Sequence, residues 1–456
     1  MNERLTSPNT FSTSLEENFR DKSFWLESLP EIPAVEPLRV STRCDVAIIG
    51  GGFTGLSTAY HTRNLLPGAD VRVLEANVCG FGASGRNAGF SSTLFGMAKD
   101  LTAKMHGKEN AMNAHNYMVD AANYVEKTIQ ENNINCDYEK TGSLLVATTA
   151  AQVKRVDHEL SVADSWGLEG IEAWDKGRLT EEFQTQSFCR GMFDSHTALL
   201  NPALWARGLM QMAKDAGAKI HEMSPVVSIE EKSTGFHIRT PEGDLHADRL
   251  VYATNAYSVL FPHLSAKQTP IFQHIVLSEP LTGIQLQSIG WLSRCGLEDA
   301  RSQLHYFRLT ADNRILMGGG NIAPSFGRKL NYDSNQKVFD HLEHHLIKLF
   351  PQLRGLKFTH RWGGPVSITL DVTPSIGYLG DKKRALYSVG LLGHGVSMAP
   401  YNGLCLAELL AGHKSKRTEM FFVERKSIPW PPHIIRFPIL QCVSGLLKME
   451  DKLRWD

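Results

Sequence analysis

The sequence predicts an α/β protein in which a second, α+β domain with a mixed sheet is interleaved with the first domain. The chain has 456 residues, more than a single hydrophobic core usually serves. Residues 44–75 have the pattern of a strand, a glycine turn, a helix and a second strand, which is a β-α-β unit of about 30 residues. Residues 305–318 have the pattern of a hairpin around Ala311, Asp312 and Asn313, which is typical of an antiparallel sheet.

The order of the elements follows from apolar patterning. The N-terminal arm, 1–42, is irregular and carries Pro30, Pro33 and Pro37, and we expect Trp25 and Leu26 to hold it on the body. Short runs rich in β-branched residues predict strands at 44–49, 71–75, 143–149, 226–230, 236–240, 249–253 and 386–389. Apolar residues three and four apart predict helices at 55–66, 110–132, 150–166, 202–216 (with Asn201 as its N-cap), 336–350 and 400–411.

Composition excludes several classes of protein. Lysine plus arginine number 48 and aspartate plus glutamate also number 48, so the formal charge is zero. A nucleic-acid partner is therefore not expected, because such proteins usually carry a basic domain or stripe. Apolar residues make up 42% and charged residues 21% of the chain, which indicates a folded rather than a disordered protein.

The cysteines do not form a disulfide pattern. There are seven, and the closest two, Cys44 and Cys79, are 35 positions apart. This sparse, odd set predicts free thiols and a reducing compartment such as the cytoplasm.

The two ends of the sequence were searched for segments that could direct the chain to a membrane or anchor it there. Met1 to Arg20 is polar and has no apolar core of a signal peptide. No window reaches the roughly 18 apolar residues of a spanning helix. The nearest approach is residues 434–447, interrupted by Arg436 and Pro438. This stretch predicts either a C-terminal helix packed on the body or an amphipathic contact with a membrane surface, flanked by Lys448, Lys452 and Arg454.

A glycine-rich turn after the first strand indicates a nucleotide site. Gly50, Gly52 and Gly55 form a G-x-G-x-x-G pattern around Phe53 and Thr54. Its glycines permit a tight turn, close approach to a pyrophosphate and close contact of helix and strand. Glu75 lies 20 residues beyond Gly55, where an acid accepts the ribose hydroxyls and disfavours a 2′-phosphate. The glycine turn and Glu75, with Ala76 next to it, together predict that the chain binds an ADP-containing cofactor other than NADP.

A second glycine cluster follows the ribose acid directly. Residues 80–89 contain four glycines, separated mostly by small and polar residues. Small residues let backbone N–H groups approach a ligand, and Ser84 and Asn87 can form hydrogen bonds to it. We therefore predict that this loop lines the cofactor site, through Gly82, Ala83, Ser84, Arg86, Asn87, Ala88 and Gly89.

The sequence resembles the D-amino-acid-oxidase-like FAD oxidoreductases, which include sarcosine, glycine and γ-glutamylputrescine oxidases. The resemblance extends from about Cys44 to Ala411. Within the family, the sequence resembles the γ-glutamylputrescine-oxidase-like branch in particular. It rests on the two glycine segments and on four later motifs: 250–256 (LVYATNA), 306–319 (YFRLTADNRILMGG), 361–364 (RWGG) and 393–396 (GHGV).

The resemblance implies a Rossmann-like FAD-binding domain with an interleaved mixed-sheet substrate domain. The FAD-binding domain would comprise 43–110, 195–260 and 366–426, and the substrate domain 111–194 and 261–365, with an arm at 1–42 and a tail at 427–456. In addition to the residues of the two glycine segments, it implies that Val227 meets the adenine through its backbone. Other FAD contacts that it implies are Ala253, Thr254, Gly364, Gly393, His394, Gly395 and Val396.

Two differences from members of this family bear on how the flavin is attached and on the class of substrate. Some relatives attach the flavin to a cysteine in the stretch matching Arg361 to Ser367, and this chain has none there, so noncovalent FAD is expected. Sarcosine-type relatives place a lysine for the substrate carboxylate where this chain has Ser397. An amine or a differently anchored amino acid is therefore a better expectation than a simple N-methyl amino acid.

The implied activity is oxidation of the C–N bond of a small amine or amino acid. Hydride passes to flavin N5, the imine hydrolyses to a carbonyl compound and an amine, and O₂ reoxidises the flavin with formation of H₂O₂. Three alternatives remain open at this stage. They are an FAD dehydrogenase that passes electrons to a quinone or protein acceptor, an FAD monooxygenase, and a flavin-binding protein without catalysis.

Candidate catalytic residues come from the second sheet, which covers the flavin in this family. Only one of Gln273 and His274 can face the cavity, and His274 is favoured. Tyr306 and Arg308 share a face of their strand, and Arg308 could bind a substrate carboxylate through two hydrogen bonds. The set is completed by Arg361 with its neighbour Trp362, and by His394. The histidines of 341–345 are predicted to lie on a solvated helix face, and no metal is expected.

Overall fold

The computed structural model describes residues 18–31 and 35–455, with side chains up to residue 453. The expectations for residues 1–17 and for Pro33 lie outside the described residues.

Within the described residues the strands and helices alternate along most of the chain. The helices are α1 (Phe24–Glu27), α2 (Phe53–Leu65), α3 (Lys99–His106), α4 (Lys108–Glu131), α5 (Ala150–Trp166), α6 (Lys176–Glu182), α7 (Pro202–Asp215), α8 (Pro262–Ser265), α9 (Gly283–Ile289), α10 (Gln336–Leu349), α11 (Gly395–Ala411) and α12 (His433–Glu450). The strands are β1 (Thr42–Ile49), β2 (Val71–Leu74), β3 (Phe90–Ser91), β4 (Ser143–Ala147), β5 (Ile171–Trp174), β6 (Arg190–Asp194), β7 (Ala198–Leu199), β8 (Lys219–His221), β9 (Ser228–Lys232), β10 (Gly235–Arg239), β11 (Asp244–Tyr252), β12 (Thr269–Ser278), β13 (Gly296–Asp299), β14 (His305–Leu309), β15 (Ile315–Gly319), β16 (Ala323–Pro324), β17 (Phe358–Ile368), β18 (Ser375–Leu379) and β19 (Ala385–Val389).

The first sheet has the order β18-β19-β11-β1-β2-β8. Strand β1 is parallel to both β2 and β11, and the hairpin of β9 and β10 extends the sheet antiparallel to β11. Helices α2, α4, α7 and α11 contribute to a shared apolar core with β1 and β2. Because parallel strands all end at one edge, the loops after β1, β2 and β11 meet there.

The second sheet has the order β16-β12-β15-β14-β13-β4-β6-β5, with β17 also paired to β12. It is antiparallel except for the pair of β13 and β4. One face packs on α10 through residues such as Phe307, Leu342 and Leu346. Since side chains alternate along a strand, Tyr306 and its equivalents project from the other face, toward the first domain.

The predicted α/β fold with a second, mixed-sheet domain is confirmed, and the differences are local. Helix α2 begins two residues earlier than predicted, at Phe53, and α11 begins at Gly395 with Pro400 inside it. Strand β9 begins at Ser228, so Val226 and Val227 precede it.

Helix α4 shows where the predicted domain division departs from the packing. The predicted substrate stretch 111–194 includes most of this helix. Its buried face, with Met118, Ala121 and Val125, packs instead in the core of the first sheet. The long apolar face of α4 therefore packs on the helices of the first domain.

The arm and the cysteines match their predictions. Trp25 and Leu26 are buried, and Trp25 Nε1 donates a hydrogen bond to the carbonyl oxygen of Asn87 at 2.9 Å. All seven cysteines are free thiols.

The C-terminal helix α12 contacts the body through a narrow face formed by Arg436, Leu440 and Ser444. The remaining surface of the helix is exposed and apolar, with Ile434 79% and Leu446 60% accessible. Among the described residues, no helix has the length and hydropathy needed to cross a membrane.

Candidate active site

A cavity of about 850 Å³ lies between the two sheets. On one side it is bounded by the loops after β1, β2 and β11 and by the start of α11. On the other side it is bounded by the cavity face of β12, β13, β14 and β17. Both of the predicted glycine loops open into it.

The glycine turn after β1 is built without room for side chains. Gly50 has φ +106°, and a Cβ there would lie 2.7 Å from the carbonyl oxygen of Ala253. A Cβ on Gly55 would lie 2.0 Å from the carbonyl oxygen of Gly50, so Gly55 packs in the turn rather than facing the cavity. Gly52, Phe53 and Thr54 line the cavity, and α2 starts there without a side-chain cap from Gly52. A helix start whose N-cap residue supplies no side-chain hydrogen bond favours a bound anion such as a pyrophosphate.

Glu75 lies at the end of β2 and also lines the cavity, next to Ala76. Its Oε2 accepts a hydrogen bond from the N–H of Gly51 at 2.7 Å, and its Oε1 accepts one from Asn77 at 3.0 Å. Burial raises the pKa of Glu75, and the backbone N–H groups oppose that rise. The carboxyl is thereby fixed beside the glycine turn, where it can accept hydroxyl groups of a ribose.

The second glycine loop closes over the same cavity. Asn87 Nδ2 donates to the carbonyl oxygens of Ala83 and Ser84 at 3.0 and 3.1 Å, which holds the loop in shape. Ser84 Oγ accepts a hydrogen bond from the N–H of Phe53 at 3.1 Å and so joins the two loops. The predicted members that line the cavity are Gly82, Ala83, Ser84, Arg86, Asn87 and Ala88.

Arg86 is held in place on three sides. Its Nε donates to the carbonyl oxygen of Phe81 at 2.9 Å, its Nη1 pairs with Asp333 at 3.2 Å, and its guanidinium lies over the Phe81 ring. Asp333 also pairs with Lys22 at 3.2 Å. The arginine therefore presents a fixed positive group at the cavity wall.

Gly89 and Val227 do not line the cavity, contrary to the prediction. A Cβ on Gly89 would lie 2.0 Å from the carbonyl oxygen of Leu200, so this glycine serves close backbone packing. The N–H of Val227 is bonded to the carbonyl oxygen of Arg239 at 2.8 Å, and its neighbour Val226 lines the cavity instead. Ala253 and Thr254 line the cavity as predicted.

The start of α11 forms another wall, through Gly393, His394, Gly395 and Val396. His394 occupies the N-cap position without capping the helix through its side chain. Burial lowers the pKa of His394 to about 4, so the ring is neutral near pH 7. His394 therefore contributes no positive charge at this wall, and the positive end of the α11 dipole is the electrostatic feature there.

These residues fit the predicted FAD. Two helix starts without side-chain caps, two glycine loops and the Glu75 carboxylate share one elongated cavity. The turn at Gly50 and Gly52 would hold the pyrophosphate, Glu75 the ribose, and the second glycine loop with the start of α11 the flavin end.

The cavity face of β12 carries Gln273, and His274 points the other way. His274 Nε2 lies 3.0 Å from the carbonyl oxygen of Tyr332, and its ring packs on Phe339 of α10. The prediction that His274 rather than Gln273 faces the cavity is wrong. When a strand is buried on both faces, its residues are apolar on both sides, so the sequence does not show which side chains point to which face. Burial lowers the pKa of His274.

Tyr306 lines the cavity as predicted, but Arg308 does not. The Arg308 guanidinium donates to the carbonyl oxygens of Leu200 at 2.9 Å and of Leu309 at 3.0 Å, with Gly89 beside it at 3.4 Å. Burial lowers the pKa of Arg308 to about 10, so it stays charged. With Nε and Nη1 donating to backbone carbonyl groups and its side chain outside the cavity lining, Arg308 is not placed to bind a substrate carboxylate in this arrangement.

Arg361 and Trp362 also lie outside the cavity. Arg361 Nε pairs with Glu343 at 2.6 Å on the α10 side of the sheet. Trp362 is buried and donates from Nε1 to the carbonyl oxygen of Arg86 at 2.8 Å. Gly364, two residues on, lines the cavity, and a Cβ there would lie 3.3 Å from Cβ of Arg86.

Several cavity residues were not predicted from the sequence. Glu298 of β13 lines the cavity beside Tyr306, its register partner in β14. The signal was present in the alternation of β13, since Leu297 belongs to the core and Glu298 must face away from it. Others include Phe90, Gln303, Asn321, Arg328, Lys329 and Asp333.

The histidines of α10 are not all solvated, contrary to the prediction. His345 is buried, with Nε2 3.3 Å from Asp299 Oδ2, and His305 Nδ1 lies 2.7 Å from the same oxygen. Arg301 lies 3.3 Å from it as well. Burial alone would raise the pKa of Asp299, but His305 and His345 outweigh it and hold the pKa well below its usual range. The carboxylate is therefore committed to an ion-pair network behind the sheet.

Known proteins share this architecture. A protein family described as FAD dependent oxidoreductase matches residues 45–409. Gamma-glutamylputrescine oxidoreductase of Escherichia coli (strain K12) is 30% identical over 434 residues, which covers 94% of this chain and 98% of the relative. Glycine oxidase of Bacillus licheniformis is 24% identical over 389 residues, or 84% of this chain and 98% of the relative. The crystal structure of glycine oxidase from Geobacillus kaustophilus matches with a TM-score of 0.69 at 19% identity, covering 82% of this chain and 96% of that one.

Proposed function

This chain belongs to the family of FAD-dependent oxidoreductases that act on amines and amino acids, and we propose that it oxidises the C–N bond of an amine with noncovalently bound FAD and O₂ as acceptor. The observation that carries the proposal is the shared cavity. The nucleotide-binding loops form one wall and the face of the second sheet, with Gln273, Glu298 and Tyr306, forms the other.

An amine is favoured over an α-amino acid as substrate. A substrate carboxylate is held best by a paired arginine. Arg308, the arginine predicted for that task, donates to backbone carbonyl groups instead, and Arg361 is paired with Glu343 outside the cavity. Ser397 is buried and bonded to Ser91 and to the carbonyl oxygen of Ser92, both at 3.0 Å.

The protein's own groups would bind and orient the substrate. When bound, FAD supplies the two-electron acceptor for the C–H bond next to the amine nitrogen. Burial raises the pKa of Tyr306, so its hydroxyl stays protonated and acts as a neutral hydrogen-bonding group. Gln273 adds an uncharged amide on the neighbouring part of the same face. Ile275 and Phe90 line the cavity between polar groups and exclude water.

Noncovalent attachment is supported by the composition of the cavity wall. None of the described residues that line it is a cysteine. Precipitation with acid should leave the yellow colour in the supernatant, and a yellow pellet would contradict this part of the proposal.

The acceptor is tested by product balance. With O₂ as acceptor, air-saturated enzyme should release one H₂O₂ for each amine converted to a carbonyl compound. Conversion of amine that requires an added quinone, with no H₂O₂, would replace the O₂ part of the proposal. Absence of conversion with every amine and acceptor, in protein that retains FAD, would contradict the oxidation itself.

A second candidate, a dehydrogenase that passes electrons to a quinone at a membrane surface, is favoured by the position of α12. The exposed apolar face of this helix is flanked by the exposed Lys448 and Lys452, a combination that suits an anionic membrane surface. Asp451, which directly follows this helix, accepts hydrogen bonds from the N–H groups of Ser302 and Gln303 at the cavity rim, at 2.7 and 3.0 Å. Membrane contact would thus occur close to the cavity.

A further inference from the structure

We propose that Glu298 is a cation-binding subsite of the cavity, which pairs with an ammonium group of the substrate and selects cationic amines. The inference rests on the proposed function and adds to it the group that recognises the substrate.

The position of Glu298 is fixed by the sheet. On β13, Leu297 enters the core behind the sheet and Asp299 joins the buried network with His305 and His345. Glu298 lies between them and therefore projects from the opposite face, into the cavity. Its register partner Tyr306 projects on the same face from the neighbouring strand. The carboxyl is thus set on a rigid element rather than on a loop.

Glu298 has no partner among the described residues. Its carboxylate forms no hydrogen bond and no ion pair there, whereas Asp299 beside it is bonded to His305 and paired with Arg301. A half-buried carboxylate without a partner is costly. Such a group in a cavity is explained when the ligand supplies the missing partner.

Glu298 also differs in charge from its surroundings on the wall. Of the strand residues of the second sheet that line the cavity, it is the one that carries charge; the others are Gln273, Ile275, Tyr306, Gly364, Pro365 and Val366. The FAD-holding loops lie on the opposite wall and supply their own acid, Glu75. The carboxylate of Glu298 is therefore left for the substrate, and a cation is the class of group that complements it.

The groups around Glu298 shift its pKa, so the effect of a bound ligand on that pKa can be measured. Burial, and then the charges of Asp299 and Asp194, raise the pKa of Glu298 to about 7, and Lys99 opposes them. A bound ammonium group would favour the ionised carboxylate and bring this pKa down.

The test uses a cation that cannot be oxidised. In tert-butylammonium the carbon next to nitrogen has no hydrogen, so its binding to the FAD-loaded enzyme can be followed through the flavin spectrum without turnover. We expect Glu298→Gln to weaken this binding roughly 10- to 100-fold, with part of it restored in Glu298→Asp. Glu172→Gln is the matched control, since Glu172 lies on the exposed edge strand of the same sheet.

The outcomes separate the inference from the proposed function. Equal affinity of wild type and Glu298→Gln, or no binding to wild type at millimolar concentration, would overturn the subsite. Loss of binding in Glu298→Gln with FAD content unchanged would support it, even if no oxidisable amine reduces the flavin. Neutral tert-butanol should bind both proteins equally, and a loss with the alcohol as well would show a steric effect and overturn the ionic role.

Discussion

The Arg308 guanidinium donates a hydrogen bond to the carbonyl oxygen of Leu200 at 2.9 Å. This contact joins β14 of the second sheet to the segment that precedes α7, and the same arginine lies near Gly89 in the second glycine loop. Arg308 thereby connects the two walls of the cavity, and its guanidinium group donates hydrogen bonds to backbone carbonyl groups rather than to a ligand.

Replacement of Arg308 should reduce stability rather than substrate affinity. Arg308→Ala leaves buried carbonyl groups without donors, and we expect a loss of about 3–5 kcal/mol in the free energy of unfolding, measured by urea denaturation. Arg308→Lys, which keeps the charge and one donor group, should fold with a smaller loss and a KM close to that of the wild type.

Arg361→Ala is the control for Arg308. It removes an arginine of the same sheet that is paired with Glu343 at the surface, and should cost no more than about 1 kcal/mol. A large rise in KM for Arg308→Lys without loss of stability would show that Arg308 binds substrate after all.

The glycine turn predicts a sharp steric limit on FAD binding. A Cβ on Gly52 would lie 2.8 Å from Ser84 Oγ, the atom that accepts the N–H of Phe53. Gly52→Ala should therefore weaken FAD binding roughly tenfold or more, measured by titration of the apoprotein. Gly68→Ala is the matched control, because a Cβ there meets nothing within 4 Å. Equal weakening in both variants would contradict the assignment of this turn.

Binding of a cation should depend on pH through Glu298. Its pKa of about 7 in the free enzyme means that the carboxyl is protonated below that pH and ionised above it. Since an aliphatic ammonium stays charged up to about pH 10, affinity for tert-butylammonium should fall as the pH drops from about 8 to about 6. Asp299 and Asp194 beside it have pKa values below the ordinary value, so both stay ionised in this range. Glu298→Gln should show a flat profile, and a matching slope in that variant would assign the dependence to another group.

The exposed face of α12 predicts attachment to anionic vesicles. Combined replacement of Ile434, Val443 and Leu446 by serine should strongly reduce flotation with phosphatidylserine-containing vesicles, because it removes three of the six large apolar side chains that are exposed on this helix. These side chains are exposed, so the peroxide-forming rate with soluble amine should remain. Ile284→Ser, at a site 81% exposed on α9, is the control. Flotation of the triple variant at the wild-type level would contradict the prediction.

Local sequence patterns predicted the first domain well because its signals are short-range. The turn at Gly50 to Gly55 and the acid at Glu75 are separated by one β-α-β unit, whose geometry is nearly fixed. The face of the second sheet was harder to predict. In β12 both faces are covered, one by α10 and one by the first domain, so apolar alternation disappears and His274 was preferred to Gln273.

Arg308 shows a second reason why the site was only partly predictable. Its position next to Tyr306 correctly placed it on the cavity side of β14, but whether it would reach the cavity depended on Trp25 and Leu200, which are remote in sequence. The same applies to Asp299 and His345, which meet across α10 and β13. Glu298 had a readable signal in strand parity, yet no chemical motif drew attention to it.

The central claim, that the cavity oxidises amines through bound FAD, is tested most directly by anaerobic reduction of the flavin. The purified FAD-loaded protein is mixed without oxygen with aliphatic amines and diamines, γ-glutamyl amines and N-methyl amino acids, and the visible absorbance of the flavin is followed. The account predicts bleaching by at least one amine, faster than by any N-methyl amino acid, and slower in Glu298→Gln at equal subsaturating amine. A flavin that stays oxidised with the whole panel, in protein that dithionite reduces, would contradict it.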